Sequence, residues 1–268
     1  MTSLLAFWSD VLRPLFDALE PRVVVEIGSE HGKTLARVLE WVRVRASEPA
    51  SPQPTVVHSV DPAPRYDVAA WQAAHPSLRV HRQPSLEVLA EVGPADVVLV
   101  DGDHNYYTVR RELALIEQIH REAPGAPPPP AVFLHDVGWP YARRDLYYEP
   151  TRIPEAHRHP WARGGVHPTE KELVPHGMNA HLCHARIEGG PANGVLTAVE
   201  DHLAESTVAY RTARVPAAFG LAILVPVARA PEGTDAARRI ATWATPEVER
   251  FIERLEMARI AMLTGARG

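Results

Sequence analysis

The sequence predicts an α/β fold: a doubly wound, mostly parallel seven-stranded sheet with an antiparallel edge hairpin and a long lid inserted after strand five. Three observations predict it. Short β-branched runs alternate with stretches of helical periodicity through the first half of the chain, the pattern of parallel strands joined by helical crossovers. The first run, Val23-Val24-Val25-Glu26-Ile27, ends in a glycine turn that opens directly into a helix. Two later apolar runs, 208–215 and 219–227, are joined by a turn containing Pro216, as in a hairpin.

Taken in order, residues 3–19 place Leu4, Leu5, Trp8, Val11, Leu12, Leu15 and Leu19 at helical spacing, which predicts one amphipathic helix packed on the sheet edge. Residues 23–27 read as strand one, apolar enough to be buried on both faces. Residues 34–44 carry Leu35, Val38, Leu39 and Val42 at helical spacing, and the Pro/Ser stretch 47–54 reads as a surface loop. Strand 55–60, helix 68–74, strand 78–81, helix 85–92, strand 95–100 and helix 107–122 continue the alternation. The Pro-rich stretch 124–130 ends that helix, and 131–134 is strand five.

From 138 to 193 the pattern dissolves into a segment far longer than the usual connection of about 4 to 6 residues. Its Trp139, Tyr141, Tyr147, Tyr148 and Trp161 predict ordered packing, since disordered segments are poor in aromatics, and the segment reads as a substrate lid. Residues 194–204 return to a helix, the hairpin follows, and 245–263 form a closing helix with Val248, Phe251, Ile252, Leu255 and Ile260 on one side. The expectation is one domain in four parts: N-terminal helix 1–20, binding core 21–137, lid 138–193 and C-terminal region 194–268.

A chain of 268 residues with 46% hydrophobic and 23% charged side chains has the balance of a globular protein with a core of ordinary size. A net charge of −5 supplies no broad basic field, so nucleic acid is not an expected partner and small molecules are. No apolar run reaches the roughly 18 to 20 residues that cross a bilayer, and a secretory leader pattern is missing; the expected location is cytoplasmic, away from membranes. The single cysteine, Cys183, fits a reducing compartment and a structural role. Edge hairpins and long lids also serve subunit contacts, which leaves a homo-oligomer open.

The turn after strand one reads Glu26-Ile27-Gly28-Ser29-Glu30-His31-Gly32-Lys33-Thr34. Glycine is needed where φ is positive or a ligand approaches the backbone, and a doubly wound sheet binds ligands beyond the carboxyl ends of its strands. Gly28, Ser29 and Gly32, with Glu26 and Thr34 beside them, are therefore candidate cofactor residues. The stretch is not GxGxxG, and Gly28 leaves it one residue short of a P-loop. Asp61 ends strand two, where a carboxylate accepts both hydroxyls of a ribose. Ser85, opening the helix after strand three, is counted with this set.

Strand four ends in Asp101-Gly102-Asp103-His104 and strand five in His135-Asp136. Adjacent strands lie about 4.8 Å apart, so Asp101, His135 and Asp136 can converge on one ion. Oxygen ligands with one imidazole suit magnesium or manganese better than zinc. Asp103 and His104 are candidate general bases, His104 reading equally well as an orienting or capping group. Beyond them Trp139, Tyr141, Arg143, Arg144 and His181 are candidate substrate contacts. Arginine forks match phosphate or carboxylate, although pairing with Asp145 and Glu149 in solvent is the plainer reading of those arginines. The lid histidines 157, 159, 167, 176, 181 and 184 lack the spacing of a zinc motif.

Together, E-x-G-x-x-x-G after strand one, the acid after strand two and the acidic motif after strand four resemble Rossmann-like class I S-adenosyl-L-methionine (SAM)-dependent methyltransferases, over residues 23–136. Asp101-Gly102-Asp103-His104-Asn105-Tyr106 with His135-Asp136-Val137-Gly138-Trp139 is similar to the macrocin O-methyltransferase branch. That branch includes metal-dependent sugar methyltransferases of antibiotic pathways and is similar to cephalosporin-pathway methyltransferases. The resemblance implies SAM and Mg2+ or Mn2+ as cofactors, Asp101 as first metal ligand and cofactor neighbour, and Asp103 as general base. The paired acids of those enzymes fall on His135 and Asp136, and His135 departs where several relatives carry a second carboxylate. The implied acceptor is a small hydroxylated molecule such as a sugar, a nucleotide-sugar or a natural-product intermediate. A metal-independent N-methyltransferase and a non-catalytic Rossmann-like binding protein are the alternatives.

Overall fold

β-Branched and leucine side chains lose little on entering a sheet covered on both faces, and they build the strands that carry the site. A computed structural model describes residues 3–47 and 54–265; all but the two ends of the expected loop 47–54 lies outside the described residues. Its main sheet contains β1 (Val23–Ile27), β2 (Val56–Val60), β3 (Leu78–His81), β4 (Val97–Val100) and β5 (Ala131–His135), all parallel where they pair. The lid holds the short strands β6 (Leu146–Tyr147), β7 (Trp161–Arg163), β8 (Gly165–His167), β9 (Glu170–Val174) and β10 (Cys183–Ala185). The antiparallel pair β11 (Tyr210–Val215) and β12 (Leu221–Pro226) completes seven strands in the order β11-β12-β5-β4-β1-β2-β3. The predicted parallel core and edge hairpin are both present.

Successive strand residues point to opposite faces, and each face has its own apolar layer. Val24, Leu99 and Phe133 pack with α1 (Arg13–Leu19), α2 (Lys33–Ala46) and the side chains of Ala236, Ala237 and Ile240. Val25, Val98, Val100 and Leu134 pack under α4 (Ser85–Val92), α5 (Tyr106–Glu122) and α6 (Val195–Glu205). Helix α3 (Val68–Ala74) precedes β3, and α7 (Asp235–Trp243) and α8 (Pro246–Thr264) close the described chain. Among the described residues no helix is long and apolar enough to cross a membrane.

Four expectations need correction. The N-terminal helix is three pieces, a 3-10 turn Leu4–Phe7, a π-helical turn Trp8–Leu12 and α1, because Pro14 has no N–H for the ladder of a continuous helix. It covers the sheet face rather than the edge, with Phe16 6.5 Å from Phe133 between ring centres. Helix α7 was not expected from the sequence, since its buried positions include Ala236 and Ala237, which carry a weak apolar signal. Val248, Phe251 and Leu255 of α8 are exposed and only Glu256 and Ile260 are buried, so its apolar side is not the side that packs. The lid, read as patternless, is a small β structure in which β6, β10 and β7 form one sheet and β8 and β9 another.

Candidate active site

A turn that joins a buried strand to a helix must reverse quickly, and here it does so through Gly28 (φ 85°) and Gly32 (φ 71°). A Cβ on Gly28 would lie 2.2 Å from the Asp101 carbonyl oxygen, so the ends of β1 and β4 touch at this point. Gly28→Ala is therefore expected to abolish binding of S-adenosylhomocysteine (SAH): the positive φ alone costs a side chain roughly 1–2 kcal/mol, and the clash pushes β4 away. Calorimetry showing wild-type affinity in this variant would refute the close-approach role. Asp61 braces the same turn, its Oδ2 accepting from the Glu30 N–H at 2.7 Å and the Ser29 hydroxyl at 3.4 Å and its Oδ1 from the Ala63 N–H at 2.8 Å.

Beneath the turn Glu26 is buried, and its Oε2 has no hydrogen-bond partner. Burial first, then the nearby charges of Asp101 and Asp61, push its carboxyl well above the usual range. An orphaned buried carboxyl oxygen beside a cradle that a Cβ would fill suits a ligand bearing a cation and hydroxyls, and SAM carries a sulfonium, an ammonium and a ribose. Thr34 is buried in the first turn of α2. Ser85 is committed elsewhere, its hydroxyl donating to Glu112 Oε1 at 2.5 Å. Tyr66, which sequence reasoning missed, lies 3.3 Å from Ser29 Oγ and 3.0 Å from Ser59 Oγ through its hydroxyl.

At the ends of β4 and β5 two acids and two histidines meet. His135 Nδ1 lies 3.0 Å from Asp101 Oδ1 and 3.1 Å from Asp136 Oδ2, and its Nε2 is 2.9 Å from the Ala218 carbonyl. All three partners only accept, so both ring nitrogens carry protons. Burial works to lower the His135 pKa, but the Asp136 and Asp101 carboxylates override it and hold it well above its ordinary value. Both ring nitrogens are thereby engaged within the protein, and His135, expected from the sequence as a ligand, stands outside the group of side chains whose ligand atoms gather around one point. His104 replaces it: ligand atoms of Asp101, His104 and Asp136 all lie within 4.8 Å of one another. These two oxygen donors and one imidazole fit a hard divalent ion, with His135 orienting the carboxylates from behind.

His104 Nδ1 sits 3.2 Å from Asp136 Oδ2. The Tyr141 ring stacks on His104 at 5.6 Å between centres, and His184 stacks on Tyr141 at 5.9 Å. Tyr141 is buried, and its hydroxyl accepts from Asn179 Nδ2 at 2.6 Å. It walls the histidine rather than facing the crevice. Asp103 Oδ2 accepts from the Thr108 hydroxyl at 3.0 Å and forms no bond to the acid–histidine centre.

Other lid residues also have tasks that sequence alone did not show. Arg144 is fully buried and donates to the Ala185 and Lys171 carbonyls, both at 2.6 Å, because it ties lid strands together. Arg143 forks onto Glu200 of α6. His181 is exposed. Trp139 has a buried indole N–H without a partner, and Tyr148, half exposed, meets His104 edge-on at 5.7 Å. Burial of its hydroxyl end, followed by the Asp136 charge, pushes the Tyr148 pKa up. Tyr148 and Glu112 were missed as site residues, while His184, which the sequence offers with His181 as an alternative base, stacks behind Tyr141. For Glu112 a signal existed, a carboxylate one turn after Val109 on the apolar side of α5.

Residues 25–137 match the protein family described as a methyltransferase domain. That span contains the glycine turn, Asp61 and the whole acid–histidine centre. Over that span the chain carries the pattern of a methyltransferase domain. No curated protein matches the chain. Among solved structures, a protein of Staphylococcus aureus named as a candidate caffeoyl-CoA O-methyltransferase is similar at 12% identity and a TM-score of 0.44, over 83% of this chain and 82% of that one. The N-terminal domain of EvdMO1 with SAH bound is similar at 14% identity and a TM-score of 0.37, over 79% of this chain and 76% of that one.

Proposed function

We propose that the protein transfers the methyl group of SAM to a hydroxyl of a small molecule, a sugar or natural-product intermediate of the kind handled by the macrocin branch, with help from Mg2+ or Mn2+. The observation that carries this reading is the convergence of Asp101, His104 and Asp136 within 4.8 Å beside the glycine turn. A divalent ion held there would lower the pKa of an acceptor hydroxyl. The chain's own residues do the rest. Asp61, Glu26 and the Gly28 turn hold and orient SAM, so that methyl transfer is an in-line displacement governed by positioning. The acceptor oxygen forms its bond to the methyl carbon as the carbon–sulfur bond breaks, SAH leaves, and the hydroxyl proton passes to the Asp103 carboxylate. Trp139 offers its unpartnered N–H to an acceptor oxygen, and Tyr148 covers the centre from the lid.

A second reading rests on His135. Its charge already lies between Asp101 and Asp136, which allows a metal-free reaction in which His104, oriented by Asp136, takes the proton at Nε2 from a hydroxyl or an amine. Calorimetric titration with SAH, with and without Mg2+, tests the proposal, with Asp61→Ala as control. Wild-type binding that falls at least tenfold in Asp61→Ala supports the cofactor site, while no binding in either condition removes the methyltransferase reading. Turnover that survives a chelator would select the metal-free reaction.

A further inference from the structure

Ile252, Glu256 and Ile260 follow one another at four-residue spacing on α8, a stripe in which the middle member is a buried acid. A carboxylate in such a place requires partners. Glu256 Oε1 accepts the Phe219 N–H at 2.9 Å, and Arg259 donates to both Glu256 oxygens at 2.6 and 2.7 Å. The Arg259 guanidinium also lies over the Phe219 ring, 4.9 Å from its centre. Phe219 and Ala218 form the turn between β11 and β12, and both have positive φ, 71° and 48°. Side chains rarely adopt that conformation unless surrounding groups hold it.

The carbonyls of this turn face the active centre. That of Ala218 accepts from His135 Nε2 at 2.9 Å, and that of Phe219 accepts from the Gly138 N–H at 2.6 Å, at the start of the lid. The opposite side of the His135 ring touches Asp101 and Asp136. We propose that Glu256 is a positioning residue for the active centre: from the C-terminal helix it holds the 218–219 turn, whose carbonyl fixes His135 and, through it, Asp101 and Asp136. This rests on the reading that the acid–histidine centre is where methyl transfer occurs. Nothing in the matched domain, which ends at residue 137, includes α8 or this turn.

The test is hydrogen exchange of the His135 Nε2 proton in 15N-histidine-labelled protein, its signal identified by its loss in His135→Asn. Glu256→Ala is expected to exchange this proton at least roughly tenfold faster than wild type. Glu256→Gln, which keeps an oxygen for the Phe219 N–H, should stay near wild type, and Arg259→Ala should fall between. Mn2+ affinity, measured with the metal alone, is expected to weaken roughly tenfold in Glu256→Ala, a change that loss of helix stability alone does not produce. Unchanged exchange in Glu256→Ala overturns the proposal. If that variant does not fold, unchanged exchange in Arg259→Ala overturns it. Wild-type protein that fails to bind SAH would instead overturn the methyltransferase reading, leaving the exchange result to decide the role of Glu256.

Discussion

Asp136→Ala is expected to lower methyl transfer by at least about 100-fold and folding stability by about 3 kcal/mol. Both effects follow from what the carboxylate touches. Its Oδ2 is 3.1 Å from His135 Nδ1 and 3.2 Å from His104 Nδ1. Burial works to raise the Asp136 pKa, yet the two imidazoles hold it below the usual carboxylate range, so the group is charged where it functions. Removing it leaves a buried imidazolium at His135 with one acid partner, Asp101, instead of two. Breaking a buried pair on one side costs more than the pair contributes, because the remaining charge stays in a medium that solvates it poorly. Urea denaturation at neutral pH gives the stability change, and a variant as stable as wild type would show that His135 is not charged in the folded protein. Asp136→Asn, which retains an oxygen acceptor, should recover part of the stability but little of the turnover.

The second large effect is a pH dependence of stability set by Glu112. This carboxyl is fully buried, and its pKa is raised from 4.5 to about 8, chiefly by burial, which the Ser85 hydroxyl bond partly offsets and the Asp103 charge reinforces. The unfolded chain releases this proton near pH 4.5, whereas the folded protein keeps it until about pH 8. Between those values the native state binds more protons, so its stability falls as pH rises. A shift of this size corresponds to a loss on the order of 5 kcal/mol across the window. Glu112→Gln carries no proton to lose and preserves an oxygen for Ser85. Its melting temperature should exceed that of wild type at pH 8 and match it near pH 4.5. Parallel melting curves for the two proteins across this range would show that Glu112 is ionised in the fold or that its burial is relieved.

Much of the architecture was legible because it depends on local pattern. Runs such as Val97-Val98-Leu99-Val100 and the apolar repeat Leu35, Val38, Leu39 and Val42 announce a buried strand and a helix without reference to the rest of the chain. The glycine turn, Asp61 and the two acidic strand ends followed once the sheet was recognised, since doubly wound sheets gather ligands at their carboxyl ends. What escaped depended on partners distant in sequence. Pro14 divided a helix that apolar spacing alone makes continuous. The apolar repeat of α8 pointed to the wrong side, because Glu256 is drawn inward by a turn more than thirty residues earlier.

The sequence by itself determined the alternation of strands and helices from β1 to β5 and the acids at the carboxyl ends of those strands. Which histidine joins those acids was a tertiary decision. His135 is the last residue of β5 and His104 lies four residues past the end of β4, each next to an aspartate in the chain, so both can reach the same acids. The Ala218 carbonyl takes one nitrogen of His135 and two carboxylates take the other, whereas Tyr141 from the lid packs on the His104 ring and leaves it beside Asp101 and Asp136. The role of an imidazole depends on what each of its nitrogens meets, and those partners come from segments that only the folded chain brings together.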